Sequence, residues 1–334
     1  MTASPKAFKA LVITESIDKL TYSREITRRK LDSLPEHDTL VRVSHSSLNY
    51  KDALSATGNK GVTRKFPHTP GIDAVGTIEE CAGGHFAVGD SVIVTSYDLG
   101  MNTSGGLAEY IRVPHEWVVH KPHALTPLES MAFGTAGFTA GLCLQKLIHN
   151  GVMADSGEVL VTGATGGVGC LAVALLAHLG FTVVAATGKL EHADWLKHIG
   201  AATVVHRDTF SDNSKPMYPA RWAGVIDSVG GTLLSHAIKS TRPGGCVAAC
   251  GLVQGSELNT TVFPFILRGV SLCGVDSSST NMPARRALWD MLAAAWKPAC
   301  LADVITVIKL EQVSAQLDHF LNGSVRGRIV VNLT

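Results

Sequence analysis

The sequence predicts an α/β protein in which a doubly wound parallel sheet is combined with a smaller, β-rich domain. In the first 130 residues, short runs alternate apolar and polar side chains between turn residues. Later runs are almost continuously apolar and alternate with helical segments, as in parallel sheets that are covered on both faces. A glycine-rich turn joins the first of these later strands to a helix. The 334 residues are enough for two domains.

The alternating runs predict the strands of the β-rich domain. They include "FKALVIT", "TLVRVSHSSL", "DAVGTIEEC", "DSVIVTSY" and "LAEYIRVP". Residues 124–151 then change to helical spacing, with Thr126 and Pro127 as the cap and first turn of a helix. The end of the chain predicts two more helices and a final strand, "GRIVVNL".

Six apolar runs predict the strands of the parallel sheet. They are "GEVLVTG", "FTVVAAT", "ATVVH", "WAGVIDSVG", "GGCVAACG" and "VSLCGVD". The sixth would lie at the edge of the sheet, and an apolar edge strand is usually covered or paired. We therefore expect a homodimer joined through these edges.

Composition excludes several classes of protein. With 46% hydrophobic and 17% charged residues, the chain is globular rather than disordered. A net charge of +1 and 6% aromatic residues do not favour nucleic acid as a partner. No apolar run approaches the length of a membrane span, and no secretory signal is seen. The seven cysteines are scattered, which is typical of free thiols in a reducing compartment, so we expect a cytoplasmic protein.

The glycine turn in "EVLVTGATGGVGCLAVALLAHLG" predicts a dinucleotide site. Ala164 stands where the first glycine of the G-x-G-x-x-G fingerprint usually lies, but Gly166 and Gly169 occupy the other two positions. The first of these lets the backbone approach a pyrophosphate, and the second lets the helix pack on the strand. A bare tight turn is the alternative, but the strand–turn–helix context favours the cofactor site.

The end of the second parallel strand favours NADP over NAD. A NAD site would place an acid there to hold the ribose hydroxyls. Here the strand ends in Thr187, Gly188 and Lys189, and Arg207 after the third strand adds a second cation. A hydroxyl, a glycine and two cations suit a 2′-phosphate. Alternatively, Lys189 is an ordinary solvated residue at the start of a helix.

At this point the motifs identify a family. The β-rich first part, "GTAGFTA", "VTGATGGVG" and the short carboxyl-terminal return resemble the medium-chain dehydrogenase/reductase superfamily. With "SSLNYKDAL", "PGIDAVGT", "GGLAEY", "GGCVAACGL", "TTVFPFILRGVSLCGVDS" and "GRIVV", the chain is similar to its acrylyl-CoA reductase (NADPH) branch, close to the zinc-free quinone oxidoreductases. The resemblance implies a GroES-like catalytic domain over residues 1–130 and 279–334 and a Rossmann NADPH-binding domain over 131–278. It also implies a homodimer.

The resemblance also implies roles for individual residues. Tyr50 would lie beside the nicotinamide, and "NYKD", which begins with Asn49, would form the catalytic-domain lip of the cleft. Alternatively, Lys51 and Asp52 are simply an exposed turn pair. The neighbours of NADPH implied in this way are Thr135, Thr165, Gly166, Gly167, Val168, Thr187, Gly188, Lys189, Arg207, Leu252, Ile266, Ser277 and Asn322. Cys250, near the same cleft, is expected to pack rather than to act as a nucleophile.

We expect no metal. Zinc alcohol dehydrogenases of this superfamily carry a cysteine before the segment matching "YKD" and a histidine in a Gly-His-Glu motif. In this sequence the first place is occupied by "LNYKD" and the second by Gly71, Ile72 and Asp73. No replacement set with zinc-like spacing is seen.

The predicted reaction is NADPH-dependent reduction of acryloyl-CoA to propanoyl-CoA. Hydride would add to the β-carbon, and hydrogen-bond donors such as backbone N–H groups or the Tyr50 hydroxyl would stabilise the enolate. Tyr50 or solvent would then protonate the α-carbon. CoA phosphates would need basic neighbours, for which Arg64, Lys65, Arg285, Arg286 and Arg326 are the candidates. Two rival hypotheses are an NADPH-dependent quinone or enone reductase and a non-enzymatic NADPH-binding protein.

Overall fold

A computed structural model describes residues 7–334, so the first six residues of the predicted first domain lie outside the described part. Within the described residues, no helix combines the length and apolar character that crossing a membrane requires. The chain divides into two compact units. The first contains residues 1–135, 278–287 and 305–334, and the second contains residues 136–277 and 288–304.

The described chain forms fifteen strands and eight α-helices, with short 3₁₀ turns between them. In chain order they are β1 Ala7–Glu15, β2 Tyr22–Lys30, β3 Thr39–Ser47, α1 Tyr50–Ala56, β4 Asp73–Cys81, β5 Ser91–Thr95, β6 Tyr110–Val113, β7 Val118–His120, α2 Pro127–His149, β8 Glu158–Thr162, α3 Gly167–His178, β9 Thr182–Thr187, α4 Ala193–His198, β10 Thr203–His206, β11 Trp222–Asp227, α5 Gly231–Lys239, β12 Thr241–Ala249, α6 Phe263–Arg268, β13 Ser271–Gly274, α7 Met282–Ala293, β14 Ile305–Lys309, α8 Val313–Leu321 and β15 Arg328–Asn332.

The second unit is built on the predicted parallel sheet. Its six strands follow the order β10-β9-β8-β11-β12-β13, and every neighbouring pair is parallel. The order reverses between β8 and β11, which is the switch point where doubly wound sheets bind ligands. Apolar side chains of the central strands, such as Leu160, Val184 and Val225, are buried, as their continuous apolar sequence predicts.

The first unit centres on β3. Its sheet has the order β14-β15-β3-β4-β5-β7, and β6 also pairs with β3. On one side β3 contacts β4 along its length. On the other side the beginning of β3 pairs with β6 and its end pairs with β15. Both ends of β3 are therefore enclosed by strands from distant parts of the sequence.

Most predicted elements are confirmed. The edge position of the sixth parallel strand, β13, and the helix in residues 124–151 are observed. The helix that begins at Pro127 has the predicted cap, because the Thr126 hydroxyl accepts the Glu129 N–H at 3.1 Å. The main difference is at "NYKDALSA", where the chain forms the short helix α1 rather than a turn.

Candidate functional site

A buried carboxylate, Asp73, organises the end of β3 in the first unit. Asp73 opens β4 and is 0% exposed. Its Oδ2 accepts hydrogen bonds from the Ser47 hydroxyl at 2.6 Å and from Asn49 Nδ2 at 2.8 Å. Its Oδ1 accepts hydrogen bonds from the Thr135 hydroxyl at 2.5 Å and from the Thr135 N–H at 2.9 Å. One side chain thus fixes residues from two segments, the end of β3 and the middle of α2, that are distant in sequence.

The charge of Asp73 is opposed by the equally buried Arg328 of β15. The Nη2 of Arg328 lies 3.7 Å from Asp73 Oδ2, and the two side chains are 2% and 0% exposed. Arg328 also donates to the Ser47 hydroxyl at 2.8 Å, the Ala132 carbonyl at 2.9 Å and Asn49 Oδ1 at 3.3 Å. Ser47 and Asn49 therefore bridge the two charges, so both ions are desolvated but hydrogen-bonded.

The backbone beside this pair leaves no room for a side chain at Gly134. Gly134 interrupts α2 with a φ of 49° and a ψ of −153°. A Cβ there would lie 2.5 Å from Asp73 Oδ2 and 2.6 Å from the Ser47 hydroxyl. Glycine at this position lets the chain turn so that the next residue, Thr135, can direct its N–H and its hydroxyl to Asp73.

A second buried carboxylate, Asp52, fixes the start of α1. Its Oδ2 accepts the Asn49 N–H at 2.8 Å, and its Oδ1 accepts the N–H groups of Gly71 and Ile72, each at 3.0 Å. Burial raises the pKa of Asp52 to about 7, and the Asp73 charge adds to the rise, while these N–H donors oppose it. Asp52 therefore ties α1 to the segment that leads into β4.

The structure separates the four polar residues of "NYKD". Asn49 is buried, and its amide is occupied by Ser47, Asp73 and Arg328. Tyr50 is 39% exposed at the first position of α1. The alternative in which Lys51 and Asp52 form an exposed turn pair is wrong. Asp52 is fully buried, and Lys51 is half-buried and donates to the Ser278 hydroxyl at 3.3 Å.

In the second unit, the glycine turn has the geometry that the fingerprint requires. Gly163 ends the strand with a φ of 60°, and Gly166 is the N-cap of α3. A Cβ on Gly169 would lie 2.2 Å from the Gly163 carbonyl oxygen, so only glycine lets α3 pack this closely on the turn. The first N–H groups of α3, from Gly167 and Val168, have no partner within the helix by its geometry and suit an anion.

Residues predicted to select the cofactor lie together beyond the carboxyl ends of β9 and β10. The hydroxyls of Thr165 and Thr187 are 3.2 Å apart, and Thr187 also accepts the Lys189 N–H at 3.0 Å. The Arg207 side chain packs against Gly188. A Cβ at position 188 would lie only 2.9 Å from Arg207 Nε. Partial burial lowers the pKa of Lys189, while nearby Glu191 raises it. A cradle with two hydroxyls and two cations is thus present.

The remaining predicted neighbours of the cofactor come from several elements of the two units. Leu252, after β12, is 67% exposed, and Ile266, on α6, is 68% exposed. Ser277 follows β13, and Asn322 is the C-cap of α8 in the first unit.

One basic residue proposed for CoA binding is unsuitable. Arg285 is 0% exposed, stacks on the Tyr97 ring at 4.3 Å and donates to the Thr95 carbonyl at 3.2 Å. A guanidinium held in this way serves packing and cannot reach a soluble phosphate. The other candidates, Arg64, Lys65, Arg286 and Arg326, are exposed.

Sequence reasoning did not identify the Asp73–Arg328 pair or the buried Asp227. Asp227 ends β11, accepts the Thr162 hydroxyl at 2.7 Å and the Gly230 N–H at 2.8 Å, and has a pKa raised by burial. The sequence feature that could have identified these three residues is a charged side chain within an apolar run, as in "IDAVG", "GVIDS" and "GRIVV". Such residues are almost never fully buried unless they are paired.

Two family models match the chain. The model described as "Alcohol dehydrogenase GroES-like domain" matches residues 35–123, and the model described as "Zinc-binding dehydrogenase" matches residues 167–294. The chain is 44% identical over 90% of its length to the probable acrylyl-CoA reductase AcuI of Escherichia coli, of which it covers 92%. It is 41% identical over 98% of its length to the putative quinone oxidoreductase YhfP of Bacillus subtilis, of which it covers 99%.

Solved structures show the same architecture. The yhdH oxidoreductase of Salmonella enterica in complex with NADP matches with a TM-score of 0.95 and 41% identity, over 98% of this chain and all of the other. The Bacillus subtilis protein yhfP with NAD bound matches with the same TM-score, identity and coverage. Similar proteins thus differ in the cofactor found with them and in the substrate that their names give.

Replacing Asp73 should destabilise the first unit. In Asp73→Asn, the Arg328 guanidinium stays buried without an opposing charge, and breaking a buried pair in this way typically costs about 3–5 kcal/mol. The free energy of unfolding, measured with urea, should fall by that amount. Asp318→Asn breaks the pair of Asp318 with Arg24, where Asp318 is 60% exposed, and should cost at most about 1 kcal/mol. Equal effects of the two substitutions would contradict this interpretation.

Asp52 should make stability fall as pH rises. The pKa is about 7 in the folded protein and near 3.9 unfolded, so between these values the folded state binds more protons. The loss of unfolding free energy caused by ionising Asp52 is absent below about pH 4. It grows by up to about 1.4 kcal/mol per pH unit and is complete above about pH 7. The unfolding free energy of the wild type minus that of Asp52→Asn should fall over this window. A constant difference would show that the pKa of Asp52 is the same in the folded and unfolded states, which would contradict the interpretation.

Proposed function

The chain belongs to the medium-chain dehydrogenase/reductase superfamily, in the branch that holds its acrylyl-CoA reductase and quinone oxidoreductase relatives, and from that premise we propose that it is an NADPH-dependent, zinc-independent reductase of acryloyl-CoA. It is an oxidoreductase of this superfamily; the cofactor and the substrate are the proposal. The observation that carries the cofactor is the cradle of Gly188, Lys189 and Arg207 at the end of β9 and β10.

The residues present fit NADPH. The N-terminus of α3 would hold the pyrophosphate, since Gly169 brings the helix against the turn. Lys189 and Arg207 would hold the 2′-phosphate, and Thr187 the ribose. No carboxylate occupies the end of β9, where a NAD site places one to accept hydrogen bonds from both ribose hydroxyls.

Bound NADPH supplies a hydride, and the chain's own residues must stabilise the charge that develops on the thioester oxygen. Tyr50 is exposed at the start of α1 and has a hydroxyl to donate. Loss of such a donor typically lowers the rate about 10²–10³-fold. Asn49 is fully hydrogen-bonded inside the first unit, so we assign it a positioning role for Tyr50.

Independence from zinc is proposed from the donor set. The places where zinc dehydrogenases carry their cysteine and histidine hold "LNYKD" and Ile72. Around them Asp73 and Asp52 are already engaged by Arg328 and by backbone N–H groups. An amide and an apolar side chain do not provide a catalytic zinc site. We also propose that the first unit, predicted as residues 1–130 and 279–334, is the catalytic domain and that the second unit, predicted as residues 131–278, is the cofactor domain. Residues 288–304 pack with the second unit rather than with the first, to which the sequence assigned them. We further propose a cytoplasmic homodimer joined at β13.

The alternative is an NADPH-dependent quinone reductase. It is favoured by the 41% identity to the putative quinone oxidoreductase YhfP, and it uses the same cofactor residues. NADPH oxidation should be followed with acryloyl-CoA, crotonyl-CoA and a small quinone in parallel, each also with NADH. We expect fast turnover only with acryloyl-CoA and NADPH. Turnover of the quinone without a preference for CoA thioesters would support the alternative, and no oxidation at all would favour a binding protein.

Lys189→Ala should change cofactor selectivity. Loss of a charge-assisted contact to the 2′-phosphate should raise KM for NADPH about ten-fold or more, since such hydrogen bonds contribute roughly 1.5–3 kcal/mol. KM for NADH, which has no 2′-phosphate, should not change. Lys197→Ala, on the exposed side of α4, provides the matched control. An equal rise for both cofactors would place Lys189 outside the 2′-phosphate site.

Tyr50→Phe should lower kcat about 10²–10³-fold while leaving KM for NADPH within a small factor. The substitution removes only a hydroxyl from an exposed ring, so the melting temperature should not change. Steady-state kinetics with acryloyl-CoA measures kcat and KM, and thermal unfolding measures the melting temperature. Unchanged turnover would remove Tyr50 from the reaction and leave solvent or backbone groups as the donors.

A further inference from the structure

Three side chains with metal-ligating atoms meet at the beginning of β3, at the other end of the strand from Asp73. Asp38 precedes β3, while His115 and Glu116 follow β6. The antiparallel pairing of Thr39 with Val113 brings these segments together. One ligand atom from each of the three residues lies within 4.8 Å of the other two. We refer to Asp38, His115 and Glu116 as the β3-start cluster.

The separations in the β3-start cluster are close to those of a metal site. His115 Nδ1 lies 2.6 Å from Asp38 Oδ2 and 3.5 Å from Glu116 Oε2. Ligand atoms at about 2.0–2.1 Å from a tetrahedral zinc ion are roughly 3.3 Å from one another. The two distances from His115 bracket that value, and the separation between the ligand atoms of Asp38 and Glu116 is at most 4.8 Å.

Two of the ligands are held in place before any ion binds. Asp38 Oδ1 accepts the His115 N–H at 2.8 Å and the Thr39 hydroxyl at 2.9 Å, which leaves Oδ2 directed at the His115 ring. The His115 ring stacks on that of His85, with centroids 3.7 Å apart and an interplanar angle of 3°. Preorganised ligands of this kind reduce the entropic cost of binding.

The charges around the cluster are mixed. Two carboxylates meet one imidazole, and a groove of about 470 Å³ that gives access to His115 and Glu116 is also lined by His85, His120 and Arg286. His120 has its own acidic neighbour, because its Nδ1 lies 3.9 Å from Asp90 Oδ2. Arg286 is the permanent cation that an incoming metal ion would face. The two carboxylates of the cluster offset it.

We propose that Asp38, His115 and Glu116 bind one divalent first-row metal ion of the Zn²⁺ class through one nitrogen and two oxygen ligands. Water would complete the coordination. The ion would tie the beginning of β3 to the segment after β6. Because β3 rises about 3.3 Å per residue over nine residues, the site lies roughly 25–30 Å from Asn49. Its role is therefore to stabilise the first unit, and it does not depend on the proposed reaction.

Calorimetric titration of metal-free protein with Zn²⁺ tests the proposal. We expect one equivalent to bind, with affinity at least about ten-fold weaker in His115→Asn and in Glu116→Gln. Glu116 is 67% exposed, so its substitution does not endanger folding. His120→Asn changes a histidine of the same groove outside the cluster and should stay within about two-fold of the wild type. Equal binding by all four proteins, or no saturable binding, would overturn the proposal.

Thermal unfolding adds a second readout. A ligand that binds only the folded state stabilises it by mass action, so Zn²⁺ well above its Kd should raise the melting temperature of the wild type. The same addition should not raise the melting temperature of Glu116→Gln. An equal rise in both proteins would show that the ion binds elsewhere and would contradict the assignment.

Discussion

The buried Asp73–Arg328 pair is the constraint on which the first unit depends. Both ions are removed from water, and such a pair is tolerable only when further hydrogen bonds satisfy each charge. Ser47, Asn49 and Thr135 supply these bonds to the carboxylate, and backbone carbonyls supply others to the guanidinium. The end of β3, the start of α1 and the kink in α2 are therefore fixed by one electrostatic requirement.

This requirement gives a physical reason for the position of Tyr50. The residue before it, Asn49, cannot rotate without breaking bonds to both members of the pair, and Asp52 two residues later holds Asn49 through its N–H. In the proposed reaction the Tyr50 hydroxyl donates to a developing charge, and such a donor is most effective when it does not have to reorganise. The buried polar residues on either side of Tyr50 provide that rigidity, while Tyr50 itself stays accessible.

Much of the fold was predictable because its periodicities are strong. The six apolar runs between helical segments predicted the parallel sheet, and the glycine turn predicted where β8 gives way to α3. The proximity of Gly188 and Arg207 was predictable for the same reason, since residues at the carboxyl ends of adjacent parallel strands lie at the same edge of a sheet. Thr187 ends β9 and Arg207 follows β10, and these two strands are paired in register. Their role in binding a cofactor stays a prediction.

The buried ionic pair was not predictable from sequence, because its members come from strands about 250 residues apart and neither belongs to a local motif. Asp52 illustrates the same difficulty. In sequence it follows three polar residues and suggests an exposed turn, yet three backbone N–H groups from two segments make its burial favourable. Periodicity reports which face of an element is apolar. It does not report which polar residue is buried against a partner that folding brings from elsewhere in the chain.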